Sequence, residues 1–159
     1  MRDGRPYAPV LPRDFEFLPK VGEGIRLLSK AGFKIIVVTN QPDVAHGLQT
    51  LENVEAIHRR ISEAFPIDEI IVCFHTDEDQ CQCRKPRPGM LIEAAGRWSI
   101  DLKKSYMVGD RWKDMEAGKA AGCKTVLIRY AEYTENNAAN ADAIVASLFE
   151  AAQLILRGF

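Results

Sequence analysis

The chain has 159 residues, of which 47% are apolar and 27% are charged, and its formal net charge is −1. This length suits one folded domain over residues 1–159, and the near-neutral charge excludes the broad basic surface of a nucleic-acid-binding protein. No apolar run approaches the length of a membrane span and no apolar signal region is found, so we expect a cytoplasmic protein.

Helical and strand patterns alternate along the chain. In "VGEGIRLLSKAG" the apolar residues share one helical face and Gly32 can cap the end, whereas "FKIIVVT" is typical of a strand buried on both faces. "TLENVEAIHRRISEAF" is helical again, with Thr50 as the expected N-cap, and Pro88 suits the first turn of "PGMLIEAAGRW". In chain order we predict helix 21–32, strand 33–39, helix 50–65, strand 67–74, helix 88–98, strand 105–110, helix 112–122, strand 124–130, strand 142–147 and helix 148–158.

This alternation predicts an α/β fold, with a Rossmann-like parallel sheet covered by helices on both faces. The connections are short except for the stretch 74–88, and the small polar stretch 136–143 is expected to be a loop. Ligands of such folds bind beyond the carboxyl ends of the strands. Thr39 and Asp110 each close a predicted strand, so we expect their side chains to face one crevice.

Three of the four cysteines lie close together with a histidine, in the pattern C-x-H-x5-C-x-C. Three thiolates and one imidazole suit a closed, tetrahedral zinc site, so we predict a zinc-binding loop over residues 73–83. A disulfide fits less well, because two cysteines one residue apart cannot reach relaxed bridge geometry. Chance clustering of buried cysteines is a third interpretation, which the polar intervening stretch "TDEDQ" disfavours. The predicted zinc ligands are Cys73, His75, Cys81 and Cys83.

A basic stretch, "CRKPRPG", follows the last of these cysteines and precedes a predicted helix, whose first N–H groups also favour anions. Taken alone, it could equally be a solvated basic loop. Together with Thr39, Asn40 and Asp110 it indicates a phosphate site, and carboxylates at a strand end suit the Mg²⁺ that often accompanies phosphate. For Asp114 we prefer a role in the first turn of its helix, where the helix dipole favours a carboxylate.

Three segments, "VVTNQPDVAHG", "CFHTDEDQCQCRKPRPGM" and "YMVGDRWKDMEAG", together resemble the haloacid dehalogenase superfamily of phosphatases. The resemblance covers nearly the whole chain and is closest to the capless branch of heptose bisphosphate and histidinol-phosphate phosphatases. It implies Mg²⁺-dependent hydrolysis of a phosphate monoester through an aspartyl-phosphate. A heptose 1,7-bisphosphate is the expected substrate and histidinol phosphate the alternative. The family pattern also implies a monomer that takes a small phosphorylated metabolite and binds neither nucleic acid nor a membrane.

The resemblance also implies roles for individual residues. Asp3 of "RDG" matches the second Asp of the family motif D-x-D-G, which is the general acid and base and also binds Mg²⁺ through its carbonyl. Thr39 matches the residue that hydrogen-bonds the transferring phosphoryl group, Lys85 the cation that stabilises it, and Asp110 a further Mg²⁺ ligand. The zinc loop takes the place of a cap domain. The positions that match substrate contacts are Asn40, Gln41, Pro42, Arg84 and Arg111.

The sequence departs from the family pattern at its start. The attacking Asp would stand two residues before Asp3, and that position holds Met1, whose thioether cannot form an acyl phosphate. The apolar first strand, which is central in the family, is also absent. A start assigned too late or a truncated chain is the preferred explanation, since a sheet without its central strand leaves buried backbone groups unpaired. The alternative is a degenerate relative that binds its ligand without turnover, and a chain beginning at Met1 is expected to have negligible activity.

Overall fold

The computed structural model describes residues 9–129 and 140–159. Six α-helices and five β-strands follow one another in these ranges, together with two short 3-10 turns. The helices are α1 (Val21–Lys30), α2 (Pro42–Ala45), α3 (Leu51–Ala64), α4 (Gly89–Trp98), α5 (Trp112–Ala121) and α6 (Leu148–Leu156). The strands are β1 (Ile36–Asn40), β2 (Glu69–Cys73), β3 (Tyr106–Gly109), β4 (Lys124–Ile128) and β5 (Ala143–Val145).

All of these strands pair in parallel, as the sequence predicts. Within the described residues they form two sheets, one of order β1-β2 and one of order β3-β4-β5. The register of the first sheet brings Asn40 opposite Cys73, so the ends of β1 and β2 lie side by side. In the second sheet Gly109 lies opposite Leu127. The residue next to each of these strand ends is therefore placed at a carboxyl edge, where an α/β fold binds its ligands.

Helices cover both faces of the strands, which confirms the predicted α/β architecture. On one face α4 contacts both sheets, because Met90 packs with Ile71 of β2 and Leu91 packs with Met107 of β3. On the other face α1 packs against α6, and side chains of both helices meet the outward residues of the strands. The core therefore lies in two layers, one on each side of the strands.

The described N-terminal segment lies across α3 instead of ending loosely. The buried side chain of Gln49 donates to the carbonyl of Pro9 at 3.1 Å. Arg60 donates to the carbonyl of Pro12, and its guanidinium lies 5.5 Å from the ring centroid of Phe15. These contacts fix the direction in which the chain enters the fold.

Four differences from the sequence-based expectations concern local structure. The stretch expected as a loop after β1 contains the short helix α2. Pro88 is the N-cap of α4 and lies one residue before its first turn. In the expected loop 136–143 only Asn140 to Ala143 is described, and Ala143 already begins β5. Asp3, Met1 and the predicted absence of a first strand fall outside the described residues, so those expectations stay predictions.

Length and apolar character were also checked against a membrane-spanning role. None of the helices in residues 9–129 and 140–159 combines the two to the degree that crossing a bilayer requires.

Replacing Thr50 by alanine is expected to lower the free energy of unfolding by about 1 kcal/mol. The Thr50 hydroxyl accepts the backbone N–H of Asn53 at 3.2 Å, as the sequence predicts for the N-cap of α3. Urea denaturation followed by circular dichroism measures the change. Thr50→Ser is the matched control, because it retains the accepting oxygen, and equal loss in both variants would contradict the capping role.

Candidate functional site

The end of β1 carries polar residues that hold the basic stretch in place. The side-chain amide of Asn40 donates to the carbonyl of Lys85 and accepts its backbone N–H, both at 3.1 Å. The Gln41 amide donates to the hydroxyl of Thr39 at 3.3 Å. Asn40 therefore docks residue 85 beside the strand end through two hydrogen bonds. This is where the sequence analysis expected a phosphate site.

The ammonium group of Lys85 lies in the interior between β1 and α5. Its Nζ donates to the carbonyl of Val38 at 2.8 Å and lies 2.7 Å from Oδ1 of Asp114. Both side chains of this ion pair are buried, with 12% of the Lys85 and 8% of the Asp114 side chain exposed. A buried ion pair is held in one geometry, because either charge left alone would be poorly solvated.

Asp114 has two functions, of which the sequence analysis predicted one. Its Oδ2 accepts the backbone N–H of Arg111 at 3.1 Å, which is the expected role in the first turn of α5. Its Oδ1 pairs with Lys85, a contact that sequence reasoning missed. Gly109 makes room for it, because a Cβ atom there would overlap the carboxylate of Asp114. The pattern of a strand-end Asp followed four residues later by another was the available signal.

Asp110 follows β3 and is exposed at the edge of the site. Although it reaches solvent, the atoms around its carboxyl group withdraw water from it, and this desolvation raises its pKa above the ordinary value. Repulsion by Asp114 adds to the rise of this pKa, whereas Arg111 and Lys85 oppose it. The four charged groups are thus close enough to interact, and a carboxylate in this position suits a hard cation that takes oxygen ligands.

The four predicted zinc ligands converge. Their donor atoms all lie within 4.8 Å of one another. Cys73 Sγ lies 3.0 Å from Cys83 Sγ and 3.7 Å from Cys81 Sγ, and His75 Nδ1 lies 3.2 Å from Cys83 Sγ. In a tetrahedral zinc site with zinc–sulfur bonds of about 2.3 Å, donor atoms are separated by about 3.8 Å. The cluster is slightly tighter than this and otherwise has the arrangement that the ion needs.

All three cysteines of this cluster are free thiols, so the structure contradicts the alternative of a disulfide. Burial, followed by hydrogen bonding with Cys83, raises the pKa of Cys73 to about 12. Cys123 is also a free thiol, but it is buried in a different cluster, against Leu91 and Met107. The loop closes at Gly89, whose N–H donates to the carbonyl of Gln82 at 3.0 Å.

Arg84 contacts the loop itself. Its Nε lies 2.7 Å from Oδ1 of Asp77, and its two terminal nitrogens reach the carbonyl of His75 and Oδ2 of Asp77. Lys113 of α5 also approaches Asp77, at 4.0 Å. The hydrogen bond from Arg84 holds the pKa of Asp77 below its ordinary value, and the charges of Lys113 and His46 contribute in the same direction.

The structure thus brings together most of the residues that the sequence analysis selected. Thr39, Asn40, Lys85 and Asp110 surround one edge of the strands. Of the residues expected to contact substrate, Gln41 hydrogen-bonds Thr39, Pro42 begins α2, Arg111 is exposed before α5, and Arg84 is engaged by Asp77. Asp3 lies outside the described residues. The sequence analysis predicted neither the ion pair of Asp114 nor the contacts of Asp77.

Comparison with known proteins gives consistent matches. A family model described as HAD-hydrolase-like matches residues 82–151. The D-glycero-beta-D-manno-heptose-1,7-bisphosphate 7-phosphatase of Escherichia coli is 36% identical over 156 residues, which cover 89% of this chain and 82% of that protein. The corresponding Pseudomonas aeruginosa protein is 38% identical over 117 residues, covering 70% of this chain and 66% of the relative.

A solved structure resembles this one over nearly its full length. The D,D-heptose 1,7-bisphosphate phosphatase from B. bronchiseptica, in complex with magnesium and phosphate, superimposes with a TM-score of 0.82 at 29% sequence identity. The match covers 94% of this chain and 89% of that protein. A HAD-like phosphatase from Mesorhizobium loti gives a TM-score of 0.74 at 27% identity, with 97% and 84% coverage.

Proposed function

Since the chain belongs to the haloacid dehalogenase-like (HAD) hydrolases, in the branch of heptose bisphosphate phosphatases, we propose that it acts on the phosphate monoester of a small metabolite. The observation that carries the proposal is the group formed by Thr39, Lys85 and Asp110 at one edge of the parallel strands, with Lys85 held by Asp114. A cation, a hydroxyl and a carboxylate in one place are what a phosphoryl group needs for binding.

The residues of this group divide the work of stabilising a phosphoryl group in transfer. Negative charge spreads over its oxygens, and the fixed ammonium of Lys85 can stabilise that charge without reorganisation. Thr39 supplies a hydroxyl donor at the end of β1. Asp3 is proposed to protonate the leaving oxygen and then to activate water. The acceptor is proposed to be a carboxylate two residues before Asp3, so that one displacement becomes two easier steps.

Asp110, with the carbonyl of Asp3, is proposed to hold Mg²⁺. The B. bronchiseptica relative was solved with magnesium and phosphate, and the exposed carboxylate of Asp110 has the oxygen chemistry that Mg²⁺ prefers. A bound Mg²⁺ would neutralise charge on the phosphoryl oxygens. The raised pKa of Asp110 means that a proton competes with the cation for this carboxylate at low pH.

The cluster of Cys73, His75, Cys81 and Cys83 is proposed to bind a structural zinc ion. The separations of its donor atoms support this, as does the softness of three thiolates. Four protein ligands leave no open coordination position, so the ion would stabilise the loop without taking part in the chemistry.

The preferred substrate is D-glycero-D-manno-heptose 1,7-bisphosphate, with removal of the 7-phosphate. The names of the relatives from Escherichia coli and Pseudomonas aeruginosa support this choice. Histidinol phosphate is the second candidate, because the sequence motifs resemble phosphatases of both kinds. Binding of either as a monomeric, cytoplasmic enzyme is part of the same proposal.

The test measures Mg²⁺-dependent phosphate release from both substrates by two versions of the chain. One is the 159-residue chain itself, and the other carries Met1→Asp after an added apolar strand of about six residues. We expect release from the extended version and none from the shorter one. The matched control is the same extension with Met1→Asn, which has the shape of the acceptor without its nucleophilic oxygen pair. A folded, zinc-loaded extended version without activity would contradict the proposal and would favour a non-catalytic phosphate-binding protein.

A further inference from the structure

Two charged links join the same two segments of the chain, one behind the other. The inner link is the buried pair of Lys85 and Asp114. The outer link runs from Arg84 through the carboxylate of Asp77 to Lys113. Because residues 84 and 85 are neighbours, as are 113 and 114, the outer cations lie about one residue, or about 3.8 Å of backbone, from the inner pair.

The outer link differs from the inner one in where its charges lie. The Arg84 side chain is only 13% exposed and that of Lys113 is 30% exposed, whereas the Asp77 side chain between them is 71% exposed. Two cations are therefore partly covered, and one accessible carboxylate lies over them. An exposed salt bridge of this kind contributes little to stability, which leaves its arrangement in need of another reason.

The geometry of Arg84 supports such a reason. Its guanidinium is held side-on by both oxygens of Asp77, and a further nitrogen donates to the carbonyl of His75 at 3.2 Å. A guanidinium has five N–H donors in a planar fork, so donors remain for a second anion. Asp77 makes with Arg84 the bidentate contact that a carboxylate or phosphate group of a ligand would make.

We propose that Arg84 and Lys113 form a second anion subsite at the mouth of the crevice, and that Asp77 occupies it in the free protein as an internal competitor. This inference rests on the proposed function, in which the reacting phosphoryl group is bound at Lys85. The second subsite receives the other anionic group of the ligand, and Asp77 sets how strongly ligands with two phosphates are preferred over those with one. Asp77 is thus a specificity-determining residue.

Electrostatics gives the direction of the effect. With Asp77 present, the three charges sum to one positive charge, and Asp77→Asn leaves two. The asparagine amide would retain an oxygen that can accept from Arg84, so the position of the guanidinium is maintained. The extra positive charge acts at short range on a second phosphate, and its effect on affinity must decrease as salt concentration rises.

The experiment uses calorimetry on the 159-residue chain with Mg²⁺, and it measures binding instead of turnover. The probes are inorganic phosphate, heptose 7-phosphate and heptose 1,7-bisphosphate. Asp77→Asn is expected to tighten bisphosphate binding about fivefold at low salt and to change monophosphate binding less than about twofold. Lys113→Ala is expected to weaken bisphosphate binding by a similar factor. Lys119→Ala is the matched control, because Lys119 lies on the same helix and faces Asp142.

The outcomes separate this inference from the proposed function. Weaker bisphosphate binding by Asp77→Asn, or an equal change for all three probes, overturns the second subsite while phosphate binding by the unchanged chain persists. A gain that is insensitive to salt overturns it as well. If the unchanged chain binds none of the probes, the proposed function is wrong and the subsite with it. Zinc content and circular dichroism establish that each variant is folded.

Discussion

Asp114→Ala is expected to lower the free energy of unfolding by about 3–5 kcal/mol, because it leaves the buried ammonium of Lys85 without its counter-charge. The same substitution removes the acceptor for the backbone N–H of Arg111 at the start of α5. Urea denaturation measures the change. Phosphate binding should weaken in parallel, since an unpaired Lys85 is no longer held at the carbonyl of Val38.

A double-mutant cycle separates the ion pair from its surroundings. Lys85→Met alone should also be strongly destabilising, because it leaves the carboxylate of Asp114 buried and unpaired. The combination Lys85→Met with Asp114→Asn should be milder than the sum of the single changes, since no buried charge remains. Glu116→Ala, at an exposed position of α5, is the control and should change little. Additive effects of the two substitutions would show that the residues do not act as a pair.

Cys81→Ser is expected to abolish tight metal binding and to lower the melting temperature. Metal analysis of the unchanged chain should give about one zinc per chain, as a single four-ligand site requires. Because zinc binds the folded loop and not the unfolded chain, its loss removes binding free energy from the folded state. Hydrogen exchange should increase over residues 73–83, and the loop should no longer hold Asp77 over Arg84.

Removal of zinc from the unchanged chain by a chelator provides an independent check. It should reproduce the lowered melting temperature, and it should have no further effect on Cys81→Ser. Cys123→Ala is the matched control, because this cysteine is buried outside the cluster and its replacement should leave the zinc content unchanged. A full zinc content in Cys81→Ser would show that the cluster is not the metal site.

Local pattern sufficed for the elements and for the metal cluster. The helix α3 begins at the predicted N-cap because a threonine hydroxyl can satisfy a backbone N–H within one turn. The four predicted zinc ligands lie within residues 73–83, so a short loop can bring them together without help from the rest of the fold. The parallel sheets followed from alternating strand and helix signals, which are also local.

The site residues separate along the same line. The sequence by itself determined that Thr39 and Asp110 lie at strand ends, because an apolar run followed by a polar residue marks a strand end wherever the chain goes. Only the tertiary structure decided that Lys85 pairs with Asp114 and that Arg84 is engaged by Asp77 while Lys113 approaches from α5. The pairs that reach α5 join parts of the chain that are far apart in sequence. Their partners are chosen by burial and by the direction in which packed helices present their side chains, and neither is encoded in local periodicity.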